Sequence, residues 1–149
     1  MPRIARTVAV DYPHHVTQRG NNRINVFFED EDRRFYFKTL KRYSEKYRLE
    51  IWAYCLMANH VHLLVLPRAE DSLARGIGLA NMVYTQYLNR KFGNSGRVWQ
   101  NRFFSCAVER ETYSWSVARY IEKNPVKAGI STSAEDYPWS SARAHLLGH

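Results

Sequence analysis

The stretch Leu49-Glu50-Ile51-Trp52-Ala53-Tyr54-Cys55-Leu56-Met57-Ala58-Asn59-His60-Val61-His62-Leu63-Leu64-Val65-Leu66-Pro67 decides the fold. Leu49 to Met57 is rich in apolar and aromatic residues and predicts a strand. Ala58-Asn59 predicts a tight turn. His60 to Leu66 predicts a second strand, ended by Pro67. So short a connection forces the two strands to be antiparallel neighbours. Residues i and i+2 of a strand share a face, so His60 and His62 project together while Val61, Leu63 and Val65 project to the other side.

Working outward, Pro13 to Gln18 is short and β-prone, and Arg19-Gly20-Asn21-Asn22 reads as a turn. Asp30 to Tyr47 predicts a helix with a stripe of Phe35, Phe37, Leu40, Tyr43 and Tyr47. Its acidic first turn suits the helix dipole. Asp71-Ser72 caps a helix to about Lys91, with Leu73, Ile77, Ala80, Tyr84 and Leu88 on one side. Gly93-Asn94-Ser95-Gly96 breaks it. Val98 to Val108 predicts another strand. Thr112 is the expected N-cap of a helix from Tyr113 to about Asn124, with Pro125 as its stop. Gly129 and Tyr137-Pro138 mark an irregular tail. The first six elements follow the split βαβ, ferredoxin-like plan. The expected class is α+β: an antiparallel sheet covered by two helices, with an appended C-terminal helix carrying Tyr120. Residues 1–149 form one domain in this reading.

Composition narrows the functions. The chain has 149 residues, 22 Lys and Arg against 14 Asp and Glu, and a formal charge of +8. A content of 45% hydrophobic and 14% aromatic residues argues for a folded core rather than disorder or a coiled coil. The longest apolar run, Ile51 to Ala58, is too short for a membrane span. The first residues carry no apolar stretch of the signal-peptide kind. Two cysteines are too few for a disulfide scaffold, and a cytoplasmic location is expected. The positive excess points to a polyanionic partner.

Two neutral imidazoles in register, His60 and His62, make half of a metal site. At the end of the last helix, Tyr120 and Asn124 are four apart and share a face. A tyrosine phenol can attack phosphorus if a cation stabilises the developing charge. An amide oxygen one turn away offers a third metal ligand. Glu122, two residues after Tyr120, faces away. His14 and His15 are adjacent and face opposite ways on a strand; one of them could approach the active face of the sheet, but a structural role is the expectation. His145 and His149 read as surface residues.

Four segments in order extend this: His14 to Asn21, Met57 to Leu63, Gly96 to Phe103 and Arg119 to Gly129. With them the chain resembles the single-tyrosine HUH transposase family, including its REP-associated branch, from about Pro2 to Leu147. The resemblance implies metal-dependent cleavage and rejoining of single-stranded DNA through a 5′-phosphotyrosine intermediate. Tyr120 would be the nucleophile, and His60, His62 and Asn124 would hold Mg²⁺ or Mn²⁺. It also implies a hairpin-containing DNA partner, no membrane, and either a monomer or a homodimer using the helix from Asp71 to Lys91. Arg97, Trp99, Arg102, Lys123 and Lys127 are expected at a DNA channel, where Phe103, Tyr113 and Trp115 are further stacking candidates. Arg19 and Arg23, with Arg3 and Arg6, would form a second basic patch. Ala58 departs from the proline usual before the Asn-His of this family, and Asn124 stands where insertion-sequence relatives often carry glutamine.

Two other readings stay open. A zinc-stabilised nucleic-acid-binding domain would use Cys55, His60, His62 and Cys106, since a two-residue turn pairs Met57 with His60 and Cys55 with His62. A non-catalytic DNA- or RNA-binding module of the same fold would need neither the metal nor Tyr120.

Overall fold

The turn at Ala58-Asn59 joins two antiparallel strands, β2 (Leu49–Leu56) and β3 (His60–Pro67), with Cys55 opposite His62. The computed structural model describes residues 8–109 and 111–147. Around this hairpin stand β1 (His14–Arg19), α1 (Asp30–Lys46), α2 (Ser72–Phe92), β4 (Phe104–Ala107) and α3 (Glu111–Glu122). Two short helices follow, α4 (Asn124–Lys127) and α5 (Ala142–Leu147). The four-stranded sheet has the order β2-β3-β1-β4, and each neighbouring pair is antiparallel. This is the ferredoxin-like arrangement: β3 lies between β1 and β2, which α1 connects. No helix among the described residues is long and apolar enough to cross a membrane.

The two faces of the sheet follow from strand parity. Val16, Val61, Leu63 and Val65 face α1 and α2, whose buried residues include Tyr36, Leu40, Leu73, Ile77, Ala80, Tyr84 and Leu88. Leu64, Ala53 and Cys55 face the other way, against Ala118 and Ile121 of α3 and Tyr137 of the tail. Asp32 ties α1 to α2. It accepts from Tyr87 Oη at 2.9 Å and Lys91 Nζ at 2.7 Å, and from the backbone N–H groups of Phe28 and Glu29 at the start of its own helix.

Several sequence expectations are corrected. The strand expected over Val98 to Val108 is only Phe104–Ala107; before it, Trp99 meets Gly20 in a single antiparallel bridge, and the side chains of Val98, Trp99 and Phe103 turn into the core. On α1, Tyr36 is the fully buried aromatic. Phe35 and Phe37 flank it, packed on Tyr87 and Tyr54. Pro125 does not stop the last long helix. The helix ends at Glu122, and Pro125 sits in the first turn of α4, where a missing N–H leaves no bond unmade. Glu111 opens α3, so Thr112 is not its N-cap, and the residue before it lies outside the described residues, as do Arg3, Arg6 and His149.

Candidate active site

The α3 side of the sheet gathers the candidate residues. The β1–β3 register sets Thr17 opposite His62 and Arg19 opposite His60, with His15 opposite Leu64. Strand parity then puts His15, Arg19, His60 and His62 on one face. The His60 and His62 rings lie 5.0 Å apart, nearly perpendicular at 88°. His15 stacks on His62 at 5.3 Å, with its Nε2 3.1 Å from His62 Nδ1. His60 Nδ1 lies 2.7 Å from Asn59 Oδ1. The described hydrogen bonds therefore use the Nδ1 edge of both histidines.

Burial sets their charge. Desolvation, reinforced by the charges of His60, His15 and Arg19, pushes His62 down to about 3. Desolvation and the Arg19 guanidinium lower His60, and desolvation lowers His15. At neutral pH all three rings are neutral, the form that ligates a cation.

From the facing helix, the Tyr120 ring stands 6.2 Å from His15 and 6.3 Å from His62, edge-on to both. It is 49% exposed, open to a ligand. Lys127 Nζ sits 4.9 Å from the centre of the Tyr120 ring, a cation–π contact. The Asn124 amide N–H₂ donates back to the carbonyls of Tyr120 at 3.3 Å and Ile121 at 3.1 Å, which leaves Oδ1 as its acceptor. Thus β1, β3, α3 and α4 each supply part of one constellation.

His15 is the site residue that sequence reasoning left in a structural role, since it could not tell which of the adjacent pair reaches the active face. The adjacent pair splits by parity. His14 is buried with a structural role: its Nδ1–H donates to Tyr12 O at 2.8 Å, and its Nε2 accepts from Ala9 N–H at 3.2 Å. His15 turns to the site. The signal was the alternation itself, but choosing the face required the register with β3. His145 is exposed, as expected, but it has a partner: its Nδ1 pairs with buried Glu122 on the far side of α3, and Ser141 Oγ donates to the same carboxylate. Glu122 thus points away from Tyr120, as expected, and anchors α5.

The basic and aromatic residues divide between two sides. Arg19 and Lys127 flank the histidines and Tyr120. Lys123 is exposed between α3 and α4, and Arg23 is exposed in the turn after β1. Arg97 and Arg102 line a cleft of about 700 Å³ on the α2 side, over Gln18, Asn81 and Met82. Trp99, expected at a DNA surface, is only 5% exposed; it packs on Tyr36 and Tyr84 and holds its loop to the core. Phe103 is buried as well, whereas Tyr113 and Trp115 are exposed. The cysteines of the zinc reading are not brought together. Cys55 is fully buried on one edge strand, its thiol pushed up to about 12 by desolvation, and Cys106 is on the opposite edge strand. Among the described residues, no group of three or more His, Cys, Asp or Glu side chains is gathered to hold a metal.

Known proteins resemble this chain in sequence and in fold. Residues 9–124 match the family described as IS200-like transposase. Over 112 residues the chain is 31% identical to a protein of Haemophilus influenzae named as a REP-associated tyrosine transposase, covering 68% of this chain and 63% of that one. The chain therefore spans less than two thirds of that relative's length. Among solved structures, a REP-associated tyrosine transposase bound to a REP hairpin superposes with a TM-score of 0.80 at 20% identity, over 99% of this chain and 87% of that one. A protein from Deinococcus radiodurans described as a transposase superposes at 0.53 and 18% identity, over 82% and 97% of the two chains.

Proposed function

The chain belongs to the IS200-like transposase family, and on that premise we propose that it cuts and rejoins single-stranded DNA with Tyr120 as the attacking group. The observation that carries this reading is the convergence of Tyr120 on His15 and His62, with Lys127 over the same ring. The phenol oxygen attacks a backbone phosphorus. The bond from phosphorus to the 3′ oxygen breaks, leaving a 5′-phosphotyrosine and a 3′ hydroxyl. The phenol proton passes to water, and the departing oxygen takes one up. Attack by a 3′ hydroxyl on the phosphotyrosine reverses the step and reseals a strand, so no nucleotide hydrolysis is needed.

Each residue has a distinct task. The Lys127 ammonium favours the phenolate that forms as the proton leaves. Arg19, beside His60, meets the phosphate oxygens. His60, His62 and Asn124 Oδ1 would hold a divalent ion: two neutral imidazoles and one amide oxygen are donors that leave positions open for phosphate. Mg²⁺ or Mn²⁺ there would supply positive charge to the scissile phosphate and the leaving oxygen. The named relative and the hairpin-bound neighbour support a hairpin-bearing single strand as substrate. Arg97 and Arg102 in the α2-side cleft offer such a strand a second contact.

The test is a denaturing-gel assay. The protein and Tyr120→Phe are incubated with labelled hairpin-bearing single strands and Mn²⁺. The parent forms a covalent adduct. Tyr120→Phe forms none and still binds DNA. An adduct that persists in Tyr120→Phe sinks the assignment. Tight binding without any adduct in the parent transfers the case to a binding module.

A further inference from the structure

We infer that Asn59 is a positioning residue for His60, holding its imidazole in the tautomer whose lone pair is on Nε2; the consequence for a cation rests on the metal reading above. The argument begins with the turn that holds Asn59. Three backbone bonds clamp it from the loop after β1. Gly20 N–H donates to Asn59 O at 2.8 Å, and Val26 and Phe27 N–H donate to Ala58 O at 2.8 and 3.1 Å. The loop can fold back on itself this tightly only without a side chain at position 20, where a Cβ would lie 2.3 Å from Ile24 O and 2.9 Å from the Val26 side chain. This clamp holds a turn that carries Ala58 where a proline was expected.

The same loop orients the Asn59 side chain. Asn59 Nδ2 donates to the carbonyl of Arg23 at 3.3 Å. Asn22 and Arg23 both adopt left-handed backbone, with φ of 54° and 59°, around that carbonyl. A carbonyl oxygen only accepts, so the N–H₂ end of the amide faces Arg23 and Oδ1 faces His60. Oδ1 also only accepts. At 2.7 Å, His60 Nδ1 must therefore carry the hydrogen. A neutral imidazole has one ring hydrogen, so Nε2 keeps its lone pair. Partners of this kind fix the orientation and basicity of ligating histidines, and losing one weakens metal binding by about 10–100-fold.

The experiment uses the whole chain without DNA. Long-range ¹H–¹⁵N spectra read the His60 tautomer, and a Mn²⁺ titration followed by electron paramagnetic resonance reads affinity. The variants are Asn59→Leu, Asn59→Asp and His60→Ala, each checked for a cooperative thermal transition. The parent and Asn59→Asp, which both offer an acceptor, keep hydrogen on Nδ1. Asn59→Leu moves it to Nε2 in part or in full, and binds Mn²⁺ about 10–100-fold more weakly. Asn59→Asp binds at least as well as the parent. An unchanged tautomer in Asn59→Leu overturns the inference. So does Mn²⁺ affinity in Asn59→Leu within twofold of the parent while His60→Ala loses it. If the tautomer moves as expected but His60→Ala binds Mn²⁺ like the parent, the metal reading falls and the positioning of His60 stands.

Discussion

At the scale of single residues, the site is built on neutral histidines, which makes the fold sensitive to acid. His14 is held below its ordinary value by burial, and His62 is pushed to about 3. In the unfolded chain both take up protons near the ordinary histidine value, about 6.5. Below that pH the unfolded state binds more protons than the folded one, so stability falls with pH. Urea midpoints should drop from pH 7.5 to pH 5, and the drop should be smaller in His14→Gln. Equal midpoints across that range would contradict the assignment. Legibility at this scale was uneven. His60 and His62 could be read from the strand because the i, i+2 rule is local. His15 and Asn59 could not. One needs the register of β1 against β3, and the other needs a loop more than thirty residues away.

The elements were legible wherever one face meets one partner. The α2 stripe was read in full, and all five of its expected core residues, Leu73, Ile77, Ala80, Tyr84 and Leu88, are buried. The α1 stripe was read in part: Leu40 is buried and Phe35, Phe37 and Tyr43 pack against the core, but fully buried Tyr36 was missed, because a run of three aromatics, Phe35-Tyr36-Phe37, offers periodicity no way to choose among them. The 98–103 segment looked like strand because Val98, Trp99 and Phe103 are bulky and apolar. They are bulky because they fill the core beside α2. What periodicity cannot show at all is the polar tie between α1 and α2. Burial opposes the charge of Asp32. Hydrogen bonds from Lys91, Phe28 N–H, Tyr87 and Glu29 N–H nevertheless hold its carboxyl below the usual range. Asp32→Ala leaves those donors without their acceptor and should cost about 3 kcal/mol of unfolding free energy. Chemical denaturation checks this, and a loss below about 1 kcal/mol would mean the donors find other partners.

For the whole molecule, the sheet order followed from the sequence of elements, since a split βαβ repeat has few ways to close. The placement of α3 and α5 did not, because it depends on Glu122 meeting Ser141 and His145 across the tail. The net charge of +8 is a property of the same scale. Binding to single-stranded DNA should weaken steeply with salt, and replacing both Arg19 and Lys127 by alanine should reduce the log–log slope by about 1.4. An unchanged slope would place neither side chain on phosphate. The position of Tyr120 on α3, after the last strand, has a bearing on biosynthesis. The ribosome completes the histidine face long before it reaches Tyr120, at about 5–20 residues per second. A nascent chain can therefore display the half of the proposed centre that would grip a phosphate while lacking the half that would break it. Synthesis itself keeps the proposed chemistry off until Tyr120 has been added and α3 has formed.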